Sequence, residues 1–432
     1  MSESRSVGYV IFKLSGLWLH ANFRRLWAGQ SASLFASELT YVVLPLIAVV
    51  FLEATPIQMG VIGAMGGVPA LAGIFLSVWV DRRSRGPILV MVDVGRMIVL
   101  LAIPVSYVMG VLTIEILYAV SLGIGGMSML FEIAYRSFLP SVVKNTQIVE
   151  ANSKLELANT GAVAVGPGLG GVLVEIVVAP FAVLSSVVMY VVSAVMFKSL
   201  RVNEIVAEVA RDADGNSESV LQGIKIGFGF FKGNRLLVGI GAASITLGVF
   251  GAAYDTIYIL YLVRTHDFSA GMIGLIFSVG SIGVLGGSFI SSWITTRIGV
   301  GRTLLFGFVF LTIGGFIVPA AEGSRYFVYV LILVAEITFV LGIVIWNIGQ
   351  VSLRQAVTPG SLLGRVNSIL IVTGRASVPV GALIGGYLGE EMGLRGAIYV
   401  FAAGISAGAI WLVLLGFWNL KEMPEVDDPI IT

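Results

Sequence analysis

The sequence predicts an all-α integral membrane protein, in which twelve transmembrane helices form two six-helix bundles. Three observations support this fold class. The chain of 432 residues is 57% hydrophobic and only 12% charged, against about 25% charged residues in an average soluble domain. Apolar stretches of about 17 to 25 residues, each long enough to cross roughly 30 Å of hydrocarbon as a helix, recur along the chain. The two halves of the chain also resemble each other, which predicts two related bundles.

The predicted spans are the apolar runs between charged or turn-rich breaks. They cover residues 27–52, 57–80, 88–110, 116–137, 152–177, 180–198, 234–262, 270–294, 303–321, 326–350, 365–389 and 396–418. The first run is too long for the apolar region of a signal peptide, so we expect an uncleaved first span. The predicted organisation has five parts: a cytoplasmic N-terminal segment (1–26), a first bundle (27–198), a cytoplasmic linker with an amphipathic stretch VLQGIKIGFGFF (199–233), a second bundle (234–418) and a cytoplasmic tail (419–432).

Basic residues predict the orientation of the chain. The loops on one side carry most of the lysines and arginines, whereas the loops on the other side hold only Arg264, Arg325 and Arg395. The positive-inside rule therefore places both termini in the cytoplasm. We expect a multi-pass protein of the plasma (inner) membrane, a monomer surrounded by lipid.

Several classes of function are disfavoured by composition. The net charge is +1 and the basic residues are dispersed, which gives no reason to expect a nucleic-acid partner. The chain has no cysteine, and its two histidines, His20 and His266, lie about 250 positions apart, so we expect no metal site and no cofactor. No catalytic constellation occurs in the sequence at membrane depth, so we expect no enzyme. The sequence also has no ATP-binding loop, which disfavours ATP-driven pumping.

The internal repeat has a shift of about 214 or 215 positions. Residues 79–83 align with residues 293–297, and residues 166–171 align with residues 381–386. Weak repeats of this kind are typical of transporters that bind a small-molecule substrate between two related bundles, near the middle of the membrane.

Three segments resemble one known family. They are NFRRLWAGQSASLFASELTYVVLPL in the first span, WVDRRSRGP after the second and GAVAVGPGLGGVL within the fifth. The chain is similar to the major facilitator superfamily, and within it to the third drug:proton antiporter family, which includes macrolide-efflux pumps and siderophore exporters. The resemblance implies transport by alternating access, with spans one, four, seven, ten and eleven around a central cavity.

The segment WVDRRSRGP resembles motif A of that superfamily, G-x-x-x-D-R-x-x-R. Asp81, Arg82 and Arg85 match the motif, while Ser77 replaces its glycine. The resemblance implies a cytoplasmic latch, in which the Asp81 carboxylate caps a neighbouring helix and the arginines pair with acids. The pair Asp93 and Arg96, one turn apart in span three, is a candidate for the same network. The alternative is a positive-inside loop that only sets topology.

The stretch GPGLGG fits the dinucleotide fingerprint G-x-G-x-x-G, but it lies inside a span instead of following a strand, so no phosphate is expected there. It resembles motif C, which is associated with antiporters, through Gly166, Pro167, Gly170 and Gly171. That motif implies a hinge and seal between the bundles, because small residues allow close helix approach and proline allows a bend. The alternative is glycine packing with no bearing on transport. Motif B has no match, because residues 118–130 contain no basic side chain.

Ionisable residues inside the membrane usually face a cavity and have a function. Glu38, Glu336 and Arg375 fall near the middle of spans one, ten and eleven, and Asp255 lies further outward in span seven. These four are the candidate sites for protons, cations or substrate, and Arg375 is expected to be the counter-charge of Glu336. The alternative is a static ion pair that fixes helix positions.

Secondary candidates for the cavity wall are Glu132, which has Arg136 one turn away, and the residues Tyr41, Tyr254, Trp346 and Asn347. The leading hypothesis is a secondary exporter of amphipathic or cationic small molecules, in exchange for protons. The alternatives are an exporter of a specific metabolite, siderophore or lipid-like molecule, and a membrane receptor or scaffold without transport activity.

Overall fold

A computed structural model describes residues 16–202 and 220–424, with Asp81 and a few other helical residues described in their backbone only. The expectations for residues 1–15, for the polar part of the linker (203–219) and for the last eight residues of the tail lie outside this description. The described chain is helical throughout, with no strand, which confirms the predicted all-α class.

The first bundle contains seven α-helices. They are α1 (Ala21–Leu46, continued by a π-helical turn Ile47–Phe51), α2 (Pro56–Gly67), α3 (Gly73–Asp81), α4 (Arg85–Val108), α5 (Ile114–Val142), α6 (Ile148–Ile176) and α7 (Ala179–Lys198). The helix α8 (Val220–Gly233) follows in the linker. The second bundle contains α9 (Arg235–His266), α10 (Ala270–Ile298), α11 (Val300–Ala320), α12 (Arg325–Val357), α13 (Gly360–Glu391) and α14 (Leu394–Leu414).

Eleven described helices are long and apolar enough to cross a membrane. The predicted second span is broken into α2, a 3-10 turn Val68–Ala72 and α3. Pro69 lies in this turn, where its missing N–H removes a helical hydrogen bond. The three pieces together replace a single helix, so the structure agrees with twelve crossings.

Several helices are longer than the predicted spans. The tenth span was expected at residues 326–350, whereas α12 runs over Arg325–Val357. An apolar run marks the hydrocarbon region, but a helix continues wherever its backbone hydrogen bonds continue. Polar residues such as Arg354 therefore extend α12 beyond the apolar stretch.

Capping residues explain several helix starts. Thr55 and Gln58 form a reciprocal capping box at α2, with Pro56 at the first helical position. The Asn234 side chain accepts hydrogen bonds from the backbone N–H groups of Leu236 and Leu237 and so caps α9. Such caps satisfy N–H groups that have no partner within the helix.

The two bundles meet mainly through two helix pairs, α2 with α13 and α6 with α10. At both contacts glycine allows backbone to approach backbone: a Cβ atom on Gly60 would lie 3.0 Å from Gly386 Cα, and one on Gly171 would lie 2.8 Å from Gly274 Cα. We call the side where α1 begins and α14 ends the terminal side, and the other the distal side. All four glycines lie in the distal halves of their helices, so the bundles are packed backbone to backbone on the distal side.

Candidate substrate cavity

A cavity of about 760 Å³ lies between the bundles. Helices α1, α2 and α5 of the first bundle and α9, α12 and α13 of the second contribute most of its wall. Most of the wall is apolar or glycine. The volume of the cavity is large enough for a drug-sized molecule.

Two carboxylates, Asp255 and Glu336, are the charged side chains among the lining residues. The Tyr41 hydroxyl donates to Asp255 Oδ2 at 3.4 Å, and the Tyr258 hydroxyl donates to Glu336 Oε2 at 3.2 Å. Gly280 on α10 makes room for Glu336, because a Cβ atom there would lie 3.3 Å from Glu336 Oε1. The Asp255 side chain is accessible to solvent because it borders this cavity. The wall therefore carries two acids and no basic side chain.

Aromatic rings connect the two carboxylates. Tyr41 and Tyr258 each make an edge contact with Phe277, at centroid distances of 6.0 and 5.8 Å. Tyr254 lies 5.5 Å from Tyr258 and stacks on Phe339 at 5.7 Å. These five rings, which we call the aromatic wall, present both faces and edges to the cavity.

Arg375 does not meet Glu336. Its guanidinium forms an ion pair with Glu132 on α5 and lies 2.8 Å from Met129 Sδ. Glu132 also pairs with Arg136, one turn away, at 2.8 Å. The expected Arg375–Glu336 pair is thus wrong, because proximity in sequence between spans ten and eleven does not determine which way each helix face turns.

Glu38 borders motif C and is not among the residues that line the cavity. A Cβ atom on Gly166 would lie 2.6 Å from Glu38 Cβ, so α1 and α6 are in close contact at this point. No hydrogen bond or ion pair joins the Glu38 carboxylate to the residues described. The Glu38 side chain is half-buried and lies beside the cavity wall.

Two of the remaining secondary candidates lie in the cavity wall and two lie outside it. Tyr41 and Tyr254 line the cavity. Trp346 is buried against Phe308, with ring centroids 5.0 Å apart, so its expected place in the wall is wrong. Asn347 is exposed but lies outside the lining. At helical spacing Trp346 is turned by about 80° from Glu336, whereas Asn347 shares the face of Glu336 but lies about three turns further along α12, beyond the lining.

The motif A region shows the internal repeat in three dimensions. Arg83 lies over the Trp79 ring at 4.4 Å, and Arg297 lies over the Trp293 ring at 5.2 Å. The side chain of Asp81 is outside the description, Arg82 is exposed and Arg85 is half-buried. The latch formed by Asp81, Arg82 and Arg85 stays a prediction.

Asp93 and Arg96 form a buried ion pair at 3.2 Å inside the first bundle. Ser193 on α7 donates to Asp93 Oδ2 at 2.5 Å, and Arg96 lies over the Phe131 ring at 4.6 Å. The described side chains that contact Asp93 or Arg96 belong to α1, α5 and α7. The pair therefore ties four helices of one bundle together.

Motif C has two faces. Gly166 and Gly170 pack against α1 in the same bundle, whereas Gly171 packs against Ala270 and Gly274 of α10 in the other bundle. Pro167 is buried between them, and the next residue, Gly168, donates its N–H to Ser278 Oγ across the bundles at 2.8 Å. Helix α6 is continuous through Pro167.

Sequence reasoning did not single out Phe277 and Phe339. Phe339 follows Glu336 by three positions, so it shares the helix face of a candidate acid and could have been found by that spacing. Phe277 has no such signal.

The described residues contain no group of three or more His, Cys, Asp or Glu side chains that could hold a metal ion.

Two related bundles of six membrane crossings around a central cavity are typical of a transporter. The chain belongs to the major facilitator superfamily, whose family model matches residues 26–357 and 256–430. No curated protein matches the sequence significantly.

Solved structures are similar in fold. A mutant of the nucleoside transporter NupG is 14% identical, with a TM-score of 0.77 over 91% of this chain and 100% of that one. A bacterial homologue of the iron transporter ferroportin, in an inward-facing state, is 17% identical, with a TM-score of 0.69 over 91% and 98%. A bacterial homologue of the human lysosomal transporter Spinster, inward-facing and occupied, is 14% identical, with a TM-score of 0.67 over 94% and 97%.

Proposed function

We propose that this transporter exports amphipathic organic cations in exchange for protons. The observation that carries the proposal is the cavity wall, in which Asp255 and Glu336 are the charged residues and aromatic rings lie between them. An organic cation gains from both features, since carboxylates neutralise its charge and ring faces attract it.

The same two carboxylates account for exchange. A charge in an apolar cavity is costly unless it is paired or neutralised. When no cationic substrate is bound, a proton can neutralise the carboxylate in its place. Competition between proton and substrate for Asp255 and Glu336 is therefore sufficient for antiport.

The observed conformation supports loading from the cytoplasm. The bundles are packed on the distal side, and the positive-inside rule predicts cytoplasmic termini, so the cavity is expected to open inward. The ferroportin homologue gives a TM-score of 0.69 in its inward-facing state and 0.57 in its outward-facing state. An exporter takes up its substrate in this conformation.

The test is uptake into inverted vesicles under an imposed pH gradient. A lipophilic quaternary cation is compared with a neutral analogue of the same shape, a macrolide, a siderophore and a nucleoside. We expect accumulation of the cation, its loss in the double variant Asp255→Asn/Glu336→Gln, and normal transport in Glu390→Gln, an exposed acid outside the cavity.

Two outcomes contradict the proposal. Accumulation of the neutral analogue that matches that of the cation, and persists in the double variant, favours an exporter of a specific metabolite or lipid-like molecule. An absence of transport for the whole panel, in correctly folded protein, favours the receptor or scaffold hypothesis.

A further inference from the structure

We propose that Glu175 and Arg264 form a distal latch, in which each residue binds backbone groups of the other bundle and so holds the distal side closed. Glu175 is on α6 of the first bundle and Arg264 is on α9 of the second. The inference concerns the conformational cycle and holds whatever the substrate is.

Glu175 caps the start of α10. Its Oε2 atom accepts hydrogen bonds from the Gly271 N–H at 2.8 Å and from the Ser269 hydroxyl at 3.0 Å. Ser269 in turn accepts from the Met272 N–H, so one acid and one hydroxyl provide acceptors for two N–H groups of the first turn. A carboxylate is favourable here because the helix N-terminus carries positive partial charge.

The glycine at position 271 makes this contact possible. A Cβ atom there would overlap Glu175 Oε2. Ala270 and Gly274 on the same helix also meet Gly171 of motif C. The acid cap therefore sits directly beside the close packing of α6 on α10.

Arg264 makes the opposite contact. Its Nη2 atom donates to the backbone carbonyls of Glu53 at 2.9 Å and of Ala54 at 2.8 Å, in the turn that follows α1. Glu53 has a positive φ of 51°, so this turn has an uncommon backbone conformation for a residue with a side chain. A cation near the end of a helix complements the negative partial charge of its carbonyls.

The other two arginines of the distal side, unlike Arg264, contact their own bundle. Arg325 donates to the Asp267 carbonyl at 2.6 Å, and Arg395 pairs with Glu322 and donates to the Pro319 carbonyl at 2.7 Å. All these partners lie in the second bundle. Among the three basic residues of the distal loops, Arg264 alone crosses to the first bundle in the described structure.

These contacts suit a latch that opens once in every cycle. Glu175 and Arg264 are exposed, so water can replace their partners when the bundles separate. A helix cap or an exposed charged contact shifts an equilibrium only severalfold. The latch therefore biases the equilibrium toward the distal-closed state without locking it.

The experiment measures distances by double electron–electron resonance in proteoliposomes, without substrate. The chain has no cysteine, so label pairs can be introduced directly. A distal pair uses Val111→Cys and Met392→Cys, at exposed positions of the first and second bundle. A terminal pair uses the exposed positions Ser137→Cys and Ser368→Cys.

We expect Glu175→Gln and Arg264→Gln each to raise the ratio of distal-open to distal-closed molecules about fivefold, which corresponds to one lost cap. The terminal pair should shift toward shorter distances in the same variants. Arg395→Gln, which removes an equal charge within the second bundle, should leave both distributions unchanged.

A steric variant keeps the proposal open to refutation. Gly271→Ala displaces the Glu175 carboxylate without changing any charge, so it should open the distal side as Glu175→Gln does. Unchanged distal distances in Glu175→Gln, Arg264→Gln and Gly271→Ala overturn the latch, and so does a shift in Arg395→Gln of equal size. Because no substrate is used, these outcomes are independent of the proposed transport of cations.

Discussion

The guanidinium of Arg375 on α13 pairs with the carboxylate of Glu132 on α5, and this contact joins the two bundles. Glu132 lies in the second half of α5, which ends on the terminal side. The pair thus bridges the bundles where their backbones are not packed together. It is a side-chain counterpart to the glycine contacts of the distal side.

We expect Arg375→Gln to increase the separation of the bundles on the terminal side. Both side chains of the pair are about a third exposed (34% and 35%), so the effect is of the order of 0.5 kcal/mol. The measurement is the terminal distance pair at positions 137 and 368. Arg136→Gln is the matched control, because Arg136 binds the same carboxylate from the same helix. Additive effects of Glu132→Gln and Arg375→Gln on that distance ratio contradict a direct inter-bundle pair.

We expect Glu336→Gln to abolish gradient-driven accumulation while downhill exchange of substrate continues. Glu336 lies in the cavity and accepts from Tyr258, so the amide keeps its shape but can no longer take up and release a proton. Uphill uptake and equilibrium exchange are measured in the same vesicles. Tyr258→Phe, which removes only the hydrogen bond, should retain accumulation. Wild-type accumulation in Glu336→Gln would remove this residue from the coupling mechanism.

We expect Glu38→Gln to affect cation affinity less than Asp255→Asn. Asp255 lines the cavity, whereas Glu38 packs beside Gly166 outside the lining. Loss of a charged partner weakens binding about tenfold or more. Binding of a lipophilic cation to purified protein is measured for both variants. A larger loss of affinity in Glu38→Gln restores the role in substrate binding that its position in span one predicts.

We expect Gly171→Ala to separate the bundles on the distal side, because its Cβ atom would lie 2.8 Å from Gly274 Cα of the other bundle. Gly170→Ala is the control: its Cβ atom would meet Leu39 and Val43 of α1, within the first bundle, at 3.3 Å or more. The distal label pair at positions 111 and 392 reports the difference. Equal distances in the two variants show that motif C does not seal the bundles.

We expect Asp93→Asn to lower the thermal stability of the purified protein markedly. Removing one partner of a buried ion pair costs about 3–5 kcal/mol, because the other charge stays buried without compensation. The melting temperature in detergent is compared with that of Glu390→Gln, an exposed acid that should change little. Ser33 on α1 also accepts from Arg96 at 3.0 Å. An unchanged melting temperature in Asp93→Asn would show that the hydrogen bonds of Ser193 and Ser33 are sufficient to hold the site.

The sequence by itself determined the membrane class, the number of crossings and the internal repeat. These follow from local properties, because an apolar run long enough to cross hydrocarbon is a span wherever it occurs in the chain. The break of the second span at Pro69 was not predicted. The repeated Trp–Arg pairs at residues 79–83 and 293–297 gave the relation between the halves, and each pair forms the same ring contact in the structure. Depth and residue type alone also selected Asp255, Glu336, Tyr41 and Tyr254, which line the cavity, together with other side chains that do not line it.

Only the tertiary structure decided which residues meet. Arg375 pairs with Glu132 and not with Glu336, Trp346 is buried away from the cavity, and Glu38 borders motif C. Each outcome depends on the rotation of a helix about its axis and on the distance between two bundles. A rotation of one residue turns a side chain by about 100°, and the apolar pattern of a membrane helix, whose lipid and protein faces are both apolar, does not specify that rotation.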